Sequence, residues 1–373
     1  MIIKKKKYNL KFLYIFFIIL SLNIFFFSTE KIEAKSFDIE NIDISRPFEK
    51  NFNKNEVIDE GFEKAFFELI SIIVKSTDKK KINKIKLSEI KGMIESFSIK
   101  EEKFINEIYY VNLGVSFNKK KIFNVNLGVS FNKKKIFNYL EQKNIFPSIP
   151  INKKFLLIPI IIDEVKRDLL IFENNKIFDL WSQDLQKNHL IEYILPTEDL
   201  EDIKMIKENY ENIEQYNFEK IISKYNLDNA IVALIFKYDK GIRVLSRISN
   251  GDNVILKNQF YENKDISNNK QTEDLIKDLK MMYEDYWKQV NQINTSIKYP
   301  LKIQVKNKNK NKILKFEKNL NDIDLIYDYY ITKFDRDFTF YQIIFNGAPN
   351  VFLKKMKEKN LNFDTQNKIW SLE

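Results

Sequence analysis

VNLGVSFNKKKIFN occupies residues 111–124, and the same letters follow at once at residues 125–138. In both segments, named here copy one and copy two, every second residue of VNLGVSF is apolar, which predicts a β-strand. A repeat that is kept for architecture normally recurs several times and diverges, so two unchanged copies indicate a recent duplication of coding DNA. One copy is therefore predicted to be surplus to the original fold.

Copy two leads into a segment that can continue as a helix over residues 133–143, with Ile136, Phe137 and Leu140 on one face. We therefore predict that copy two is the native strand and helix. Copy one is predicted to form an extra hairpin arm that turns at residues 118–121. Slippage of one copy into the place of the other is the competing outcome, because their patterns are interchangeable.

The composition is typical of a folded chain. The 373 residues are 44% hydrophobic and 14% aromatic, which is enough for two or three domains with their own cores. The formal net charge is +10, but residues 1–34 carry +4 (six Lys, two Glu) and one repeat copy adds +3 (three Lys). About +3 then remains for the rest of a chain with five arginines, which does not indicate nucleic-acid binding.

Residues 1–34 have the organisation of a secretory signal peptide. Five lysines precede an apolar run over residues 12–27, and Ala34 stands before Lys35 as a candidate cleavage position. This predicts Sec-type export to the periplasm or cell envelope. The alternative is an uncleaved membrane anchor, since the run is only slightly short for a membrane span and the cleavage site departs from the usual pattern. The chain has no cysteine, which excludes a lipoprotein anchor, disulfides and thiol catalysis.

Hydrophobic periodicity predicts elements along the rest of the chain. Apolar residues at helical spacing predict a helix over 56–75, and the run FLLIPIII at 155–162 predicts a strand buried on both faces, with a bulge at Pro159. Tight turns predict a three-stranded meander over 230–261. The tail from residue 296 has the split βαβ order of a ferredoxin-like domain. Its predicted elements are a strand at 301–305, a helix at 320–330, strands at 333–337 and 339–345, a helix at 350–359 and a strand at 362–370.

These elements predict an α+β protein built from several small mixed modules, the last of them ferredoxin-like. The boundaries between modules are placed at shifts in composition and periodicity. The predicted division is a signal peptide or anchor at 1–34, a flexible leader at 35–55, a first α+β domain at 56–188 that contains the duplication at 111–124/125–138, a second α+β domain at 189–261, a connecting helix at 272–293 and the ferredoxin-like module at 296–373.

Several phrases of the chain, taken together, resemble one exported family. They are Tyr110 with the Leu-x-Val-x-Phe strand of copy two at 127–131, Trp181, Leu195-Pro196 with Leu200-Glu201-Asp202, and Lys224-Tyr225 before the strand at Ile231. Over residues 61–261 the chain resembles a proteobacterial family known as a domain of unknown function, number two thousand and sixty-six. The resemblance implies export and an envelope location. It supplies no established activity and no catalytic residue.

His189 is the only histidine, so neither a histidine-rich metal site nor a Ser-His-Asp triad with a spare base can be assembled. We interpret it as a surface or helix-end residue. Walker, GxSxG and HExxH motifs do not occur. The sequence therefore predicts no catalytic residue, no cofactor-binding residue and no metal ligand, and only one acidic cluster offers weak candidates.

That cluster consists of Glu198, Asp199, Glu201 and Asp202. Four carboxylates in five positions can bind a hard cation, or supply the acid and base pair of a glycosidase-type hydrolase. Alternatively, Thr197 caps a helix and the carboxylates face the positive end of its dipole. We favour capping, because a hydroxyl followed by acidic residues is how helices commonly begin.

The predicted signal peptide, the several small α+β modules and the absence of a convergent polar site together predict an exported envelope protein. We expect it to act as a non-catalytic binding or assembly module through sheet edges and grooves. The expected partner is an envelope protein, with no nucleic acid and no cofactor. Membrane contact is expected only if the N-terminal segment is uncleaved. The alternatives are an exported carboxylate-dependent hydrolase and a membrane-anchored periplasmic protein.

Overall fold

A computed structural model of the chain describes residues 37–48, 52–107, 120–172, 175–183 and 190–373. These residues form three sheets that pack against helices through apolar cores. The predicted α+β class, with several small mixed modules, is confirmed. In these ranges, no helix is both long enough and apolar enough to cross a membrane.

The elements of the first module are, in chain order, β1 (Asp38–Phe48), α1 (Lys54–Ile73), α2 (Ser76–Lys79), α3 (Leu87–Met93), β2 (Ile94–Glu107), β3 (Lys120–Phe131) and α4 (Lys133–Gln142). The strands are antiparallel in the order β1-β3-β2. Helix α1 buries Phe66, Leu69 and Ile73 against the sheet, because these residues recur at spacings of three or four. Asn53 caps α1 by accepting the amide of Asn55.

The prediction of a flexible leader at 35–55 is wrong where residues 38–48 form β1. Ile39, Ile42 and Ile44 are buried in the first core, and β1 pairs with β3 along its length. The register shifts between Ile39 and Ile42, where Asn41 adopts a left-handed φ of 59°. This extra residue breaks the period of two that would have revealed the strand in the sequence.

Copy two forms the predicted strand and helix. Within α4, Ile136, Phe137 and Leu140 are buried, so the predicted face of the helix is confirmed. Asn132 caps α4 by accepting the amide of Lys135 at 3.1 Å. The unit therefore joins strand to helix through one residue of the repeat.

The last five residues of copy one belong to the same strand, β3. Residues 120–124 (KKIFN) begin β3, whereas the identical letters at 134–138 lie within α4. The predicted turn at 118–121 is therefore wrong for residues 120 and 121, and residues 111–119 lie outside the described ranges. The first KKIFN lies between two neighbouring strands, whereas the second packs on an apolar core. The same five residues therefore take the secondary structure that their tertiary contacts favour.

The elements of the middle module are β4 (Lys153–Asp163), β5 (Asp168–Leu170), α5 (Lys176–Gln183), β6 (Ile191–Ile194), α6 (Leu200–Glu208), α7 (Glu219–Ile222), β7 (Asn229–Tyr238), β8 (Gly241–Asn250), β9 (Asn253–Glu262) and α8 (Asn269–Val290). The sheet order is β5-β4-β7-β8-β9, and β6 also pairs with β4. Strand β4 is buried from Phe155 onward and alternates between two cores, as FLLIPIII predicts. The predicted meander is β7-β8-β9.

Pro159 lies in β4 without the predicted bulge. Strands β4 and β7 are parallel and pair continuously across this position. On the other side, β6 pairs with the start of β4 and β5 with its end, which leaves Pro159 in the gap between them. Its carbonyl accepts a hydrogen bond from Asn175 Nδ2 at 2.9 Å in that gap. Because the amide and carbonyl of a residue point to the same side of a strand, the missing amide costs no hydrogen bond to β7.

The predicted boundary between domains 56–188 and 189–261 is wrong, because it divides one sheet. Strands β4 and β5 precede the boundary and pair with β6 and β7, which follow it. The helix predicted as a connector at 272–293 is α8, and it packs on this sheet through Leu275 and Tyr283. It therefore belongs to the core of the middle module.

The elements of the C-terminal module are β10 (Tyr299–Lys306), α9 (Lys310–Asp322), β11 (Ile326–Phe334), β12 (Phe338–Phe345), α10 (Pro349–Glu358), β13 (Phe363–Asp364) and β14 (Trp370–Leu372). The helix predicted at 320–330 is wrong, since α9 ends at Asp322 and β11 begins at Ile326. The strand predicted at 362–370 is divided into β13 and β14.

The C-terminal sheet has the order β11-β12-β10-β14-β13. Strand β12 lies antiparallel between β10 and β11, which is the split βαβ arrangement. The last strand differs from a ferredoxin-like order: β13 and β14 form a hairpin, so β14 runs parallel to β10. The ferredoxin-like assignment of the whole module stays a prediction.

Candidate functional site

The acidic cluster lies at the start of α6 and is paired with lysines. Asp199, rather than Thr197, is the N-cap: its side chain accepts the amide of Glu201 at 2.8 Å. Lys224 Nζ donates to Asp199 Oδ2 at 2.8 Å and to Asp202 Oδ1 at 2.6 Å. Asp202 is buried, and its Oδ2 has no hydrogen-bond partner in the described part of the chain. The structure thus brings three of the four carboxylates together at a helix cap.

Lysine contacts favour the ionised form of Asp199 and of Glu201. The hydrogen bond from Lys224 lowers the pKa of Asp199, and a hydrogen bond of 2.9 Å from Lys220 lowers the pKa of Glu201. In turn, the hydrogen bonds to Asp199 and Asp202 raise the pKa of Lys224. A general acid instead needs a carboxyl pKa raised toward neutrality. The geometry therefore supports capping and ion pairing at this site rather than acid catalysis.

Glu198 is exposed and does not join the cluster. No hydrogen bond or ion pair of Glu198 occurs within the described residues. The preceding Thr197 is held by Tyr225, whose hydroxyl accepts the Thr197 amide at 2.9 Å. The described ranges contain no group of three or more Asp, Glu, His or Cys side chains that could hold a metal ion. His189 and the candidate cleavage pair Ala34-Lys35 lie outside the described ranges.

A second polar cluster lies inside the middle module and was missed in the sequence. The ammonium of Lys280 on α8 lies 5.2 Å from the centroid of the Trp181 ring and 5.9 Å from that of Tyr193. Glu284, one turn further along α8, accepts the amide of Ile191 at 2.9 Å. Both charged side chains are buried. The sequence signal for this cluster was a lysine and a glutamate four residues apart on a helix that faces the core. Their contacts connect α8 with α5 and β6.

Tyrosines of the same cluster are neutral. Burial raises the pKa of Tyr193 and of Tyr283, and the Tyr283 hydroxyl lies 2.8 Å from Ser246 Oγ. Trp181 Nε1 and the Tyr193 hydroxyl are buried without a hydrogen-bond partner among the described residues. The cluster is closed from solvent, so its contacts stabilise the module and present no surface to a partner.

Strand β9 forms one edge of the sheet of the middle module. Among the described residues, this strand is last in the sheet and pairs only with β8, over its whole length and without a register shift. Val254, Leu256 and Phe260 lie on one face of β9 and are 56%, 62% and 55% exposed. An edge strand presents a row of unpaired amides and carbonyls, and apolar side chains beside that row favour pairing with another chain.

Other edge strands in the described ranges are interrupted or short. Bulges, prolines and short lengths are the usual means of blocking edge-to-edge pairing. The interruptions are register shifts at Ile39/Ile42 together with Pro47 in β1, at Ile94/Ser96 and Ile99/Glu101 in β2, and at Ile326/Asp328 and Ile331/Lys333 in β11. Strands β5 and β13 have three and two residues. Among these edges, β9 is the long and regular one.

Within the described ranges, the protein has an α+β fold and one long, regular sheet edge, β9. Comparison of the chain with protein-family models, curated proteins and solved structures found no match. The resemblance over residues 61–261 therefore remains a prediction, and function has to be argued from the residues of this chain.

Proposed function

We propose that the protein is a non-catalytic binding or assembly module that accepts a strand of a protein partner along β9. The observation that carries this proposal is the ten-residue β9, which is free of bulges and carries three exposed apolar side chains on one face. Strand addition obtains its affinity from main-chain hydrogen bonds and its specificity from alternate side chains. A regular edge with apolar side chains supplies both.

The acidic cluster favours the same conclusion. A carboxylate-dependent hydrolase needs two carboxyl groups with different protonation states beside a substrate site. Here Asp199 and Glu201 are ionised by lysine contacts, Asp202 is buried against Lys224, and Glu198 stands apart. We also propose export to the periplasm or cell envelope. The support for location is the signal-like sequence of residues 1–34 alone.

The test uses a photocrosslinking amino acid in place of Leu256, installed in the full-length chain in growing cells. The matched control is the same residue at Leu200 on α6, which is 81% exposed and lies away from the edge. We expect a covalent adduct with a discrete polypeptide from position 256 and none from position 200. Equal labelling at both positions, or none at 256, would refute strand addition at β9.

A further inference from the structure

We infer that the occupant of β9 is a second copy of this chain, paired antiparallel through its own β9 with the twofold axis at Asn258. The inference rests on the proposed function, since it names the partner of the same edge. The backbone, the side chains and the charges of β9 each favour it.

The direction of the backbone groups in β9 follows from one hydrogen bond. The amide of Asn263 donates to the carbonyl of Lys240 on the β8 side at 3.1 Å. Hydrogen-bonded positions alternate along an antiparallel ladder, so the odd-numbered residues of β9 bond to β8. The even-numbered residues from Val254 to Glu262 therefore direct their amides and carbonyls toward the free edge. A twofold axis at Asn258 places these outward groups opposite one another in the two copies.

Side chains match in this register on both faces. Leu256 lies opposite the partner's Phe260, and the symmetry repeats this pair on the other side of the axis. On the opposite face, Ile255 lies opposite the partner's Tyr261, and these residues already pack beside the core. Pairs of an aromatic with an aliphatic residue are among the favourable cross-strand pairs. The strand is therefore complementary to itself.

Charge disfavours a register with the axis at Lys257, and loss of contact disfavours one with the axis at Leu256. The charged side chains of β9 are Lys257 and Glu262, which have opposite signs. With the axis at Asn258, Lys257 lies opposite the partner's Gln259. Moving the axis to Lys257 would place that lysine opposite itself, and like charges directly opposite are destabilising. Moving the axis to Leu256 shortens the paired segment and loses the contact with Phe260.

The absence of cysteine makes the register directly measurable. Asn258→Cys places two thiols across the axis, where Cα atoms of a hydrogen-bonded pair lie about 5.5 Å apart, within disulfide range. Gln259→Cys is the matched control, because in this register its partner position is Lys257. We expect mild oxidation to give disulfide-linked dimers of Asn258→Cys and not of Gln259→Cys. A mixture of Lys257→Cys with Gln259→Cys is expected to cross-link.

A charge at the edge provides the second measurement. Leu256→Lys changes an exposed side chain, so we expect wild-type circular dichroism and melting but a monomer by light scattering, where the wild-type chain is a dimer. Similar cross-linking of Asn258→Cys and Gln259→Cys, or a wild-type monomer at all concentrations, would overturn the inference. Photoadducts from position 256 to a different polypeptide would then leave strand addition standing, and the absence of adducts would remove both proposals.

Discussion

Lys288 provides a test of the packing of α8 through the pH dependence of stability. This lysine is buried, and its Nζ donates to the carbonyl of Ser71 on α1 at 2.6 Å. Burial is the main cause that lowers its pKa from 10.5 to about 8, and the nearby Lys79 acts in the same direction. Glu284 and Asp285 oppose the shift. The folded chain thus holds this proton less tightly than the unfolded chain.

The sign of the effect follows from proton linkage. Between pH 8 and pH 10.5 the unfolded state carries the lysine proton and the folded state has lost it, so the free energy of unfolding rises with pH. Below pH 8 both states are protonated and the cost of the buried charge is fully present. A shift from 10.5 to about 8 corresponds to about 3 kcal/mol, of which about 2.5 kcal/mol falls between pH 7 and pH 10.

The assay is urea denaturation of the wild type and of Lys288→Met from pH 7 to pH 10. Other titrating groups cancel in the difference between the two curves. We expect the wild type to gain about 2.5 kcal/mol relative to the variant over this range. The exposed Lys277→Met on the same helix is the control, and its difference from wild type is expected to stay constant. If the difference between the wild type and Lys288→Met were also constant over this pH range, the lowered pKa of the buried Lys288 would be refuted.

Other predictions concern packing, capping and the repeat. Gly61→Ala places a methyl group against the buried Leu127, so we expect a loss of about 1 to 2 kcal/mol in urea denaturation, while Gly92→Ala, which meets open space, is neutral or stabilising. Asp199→Ala removes the cap of α6 and lowers the melting temperature by calorimetry, whereas Glu198→Ala leaves it unchanged; the reverse order would contradict the capping assignment. Deletion of copy one is expected to preserve the circular dichroism spectrum and cooperative melting, because copy two forms the buried strand and helix; loss of cooperative melting would show that copy one is required.

Elements that are apolar throughout, or that are bounded by clear turn residues, could be predicted from the sequence. FLLIPIII has no polar residue, so a strand with this sequence is stable when both of its faces are buried, and β4 is buried in this way. The meander was predictable because Gly251, with φ of 57°, allows the tight connection between β8 and β9. In these segments the local residues determine the element by themselves.

The missed elements depended on context or were hidden by polar residues. The run of lysine and asparagine at 307–311 has a composition typical of a solvated turn, yet Asn309 in this run caps α9. The buried apolar residues of α9 are Phe316 and Leu320, which are spaced by four. The cap of α6 was predicted in kind but assigned to the wrong residue, because Thr197 is held by Tyr225, which is distant in sequence. No local pattern contains that contact.

The position of β9 at the edge of its sheet could not be predicted from the residues of β9 alone. The alternation in β9 resembles that of any half-buried strand, and the order of strands across the sheet decides whether a strand lies at the edge. That order depends on the parallel pairing of β4 with β7 and β6. The predicted boundary after residue 188 separated these strands, so sequence reasoning could propose sheet edges in general but not this edge.

The two KKIFN segments show that the same five residues can extend a strand in one place and form a helix in another. The tail of copy one extends β3 beside β1 and β2, and copy two keeps the strand and helix contacts of the core. A duplication of coding DNA, which the two exact copies predict, would thus lengthen a strand while the contacts of copy two stay in place. From this point the segments face different selection: residues 134–138 must retain helix formers with an apolar face, while 120–124 are free to drift toward β-branched residues. Homologous chains that share the duplication should record this asymmetry as unequal divergence of the two copies.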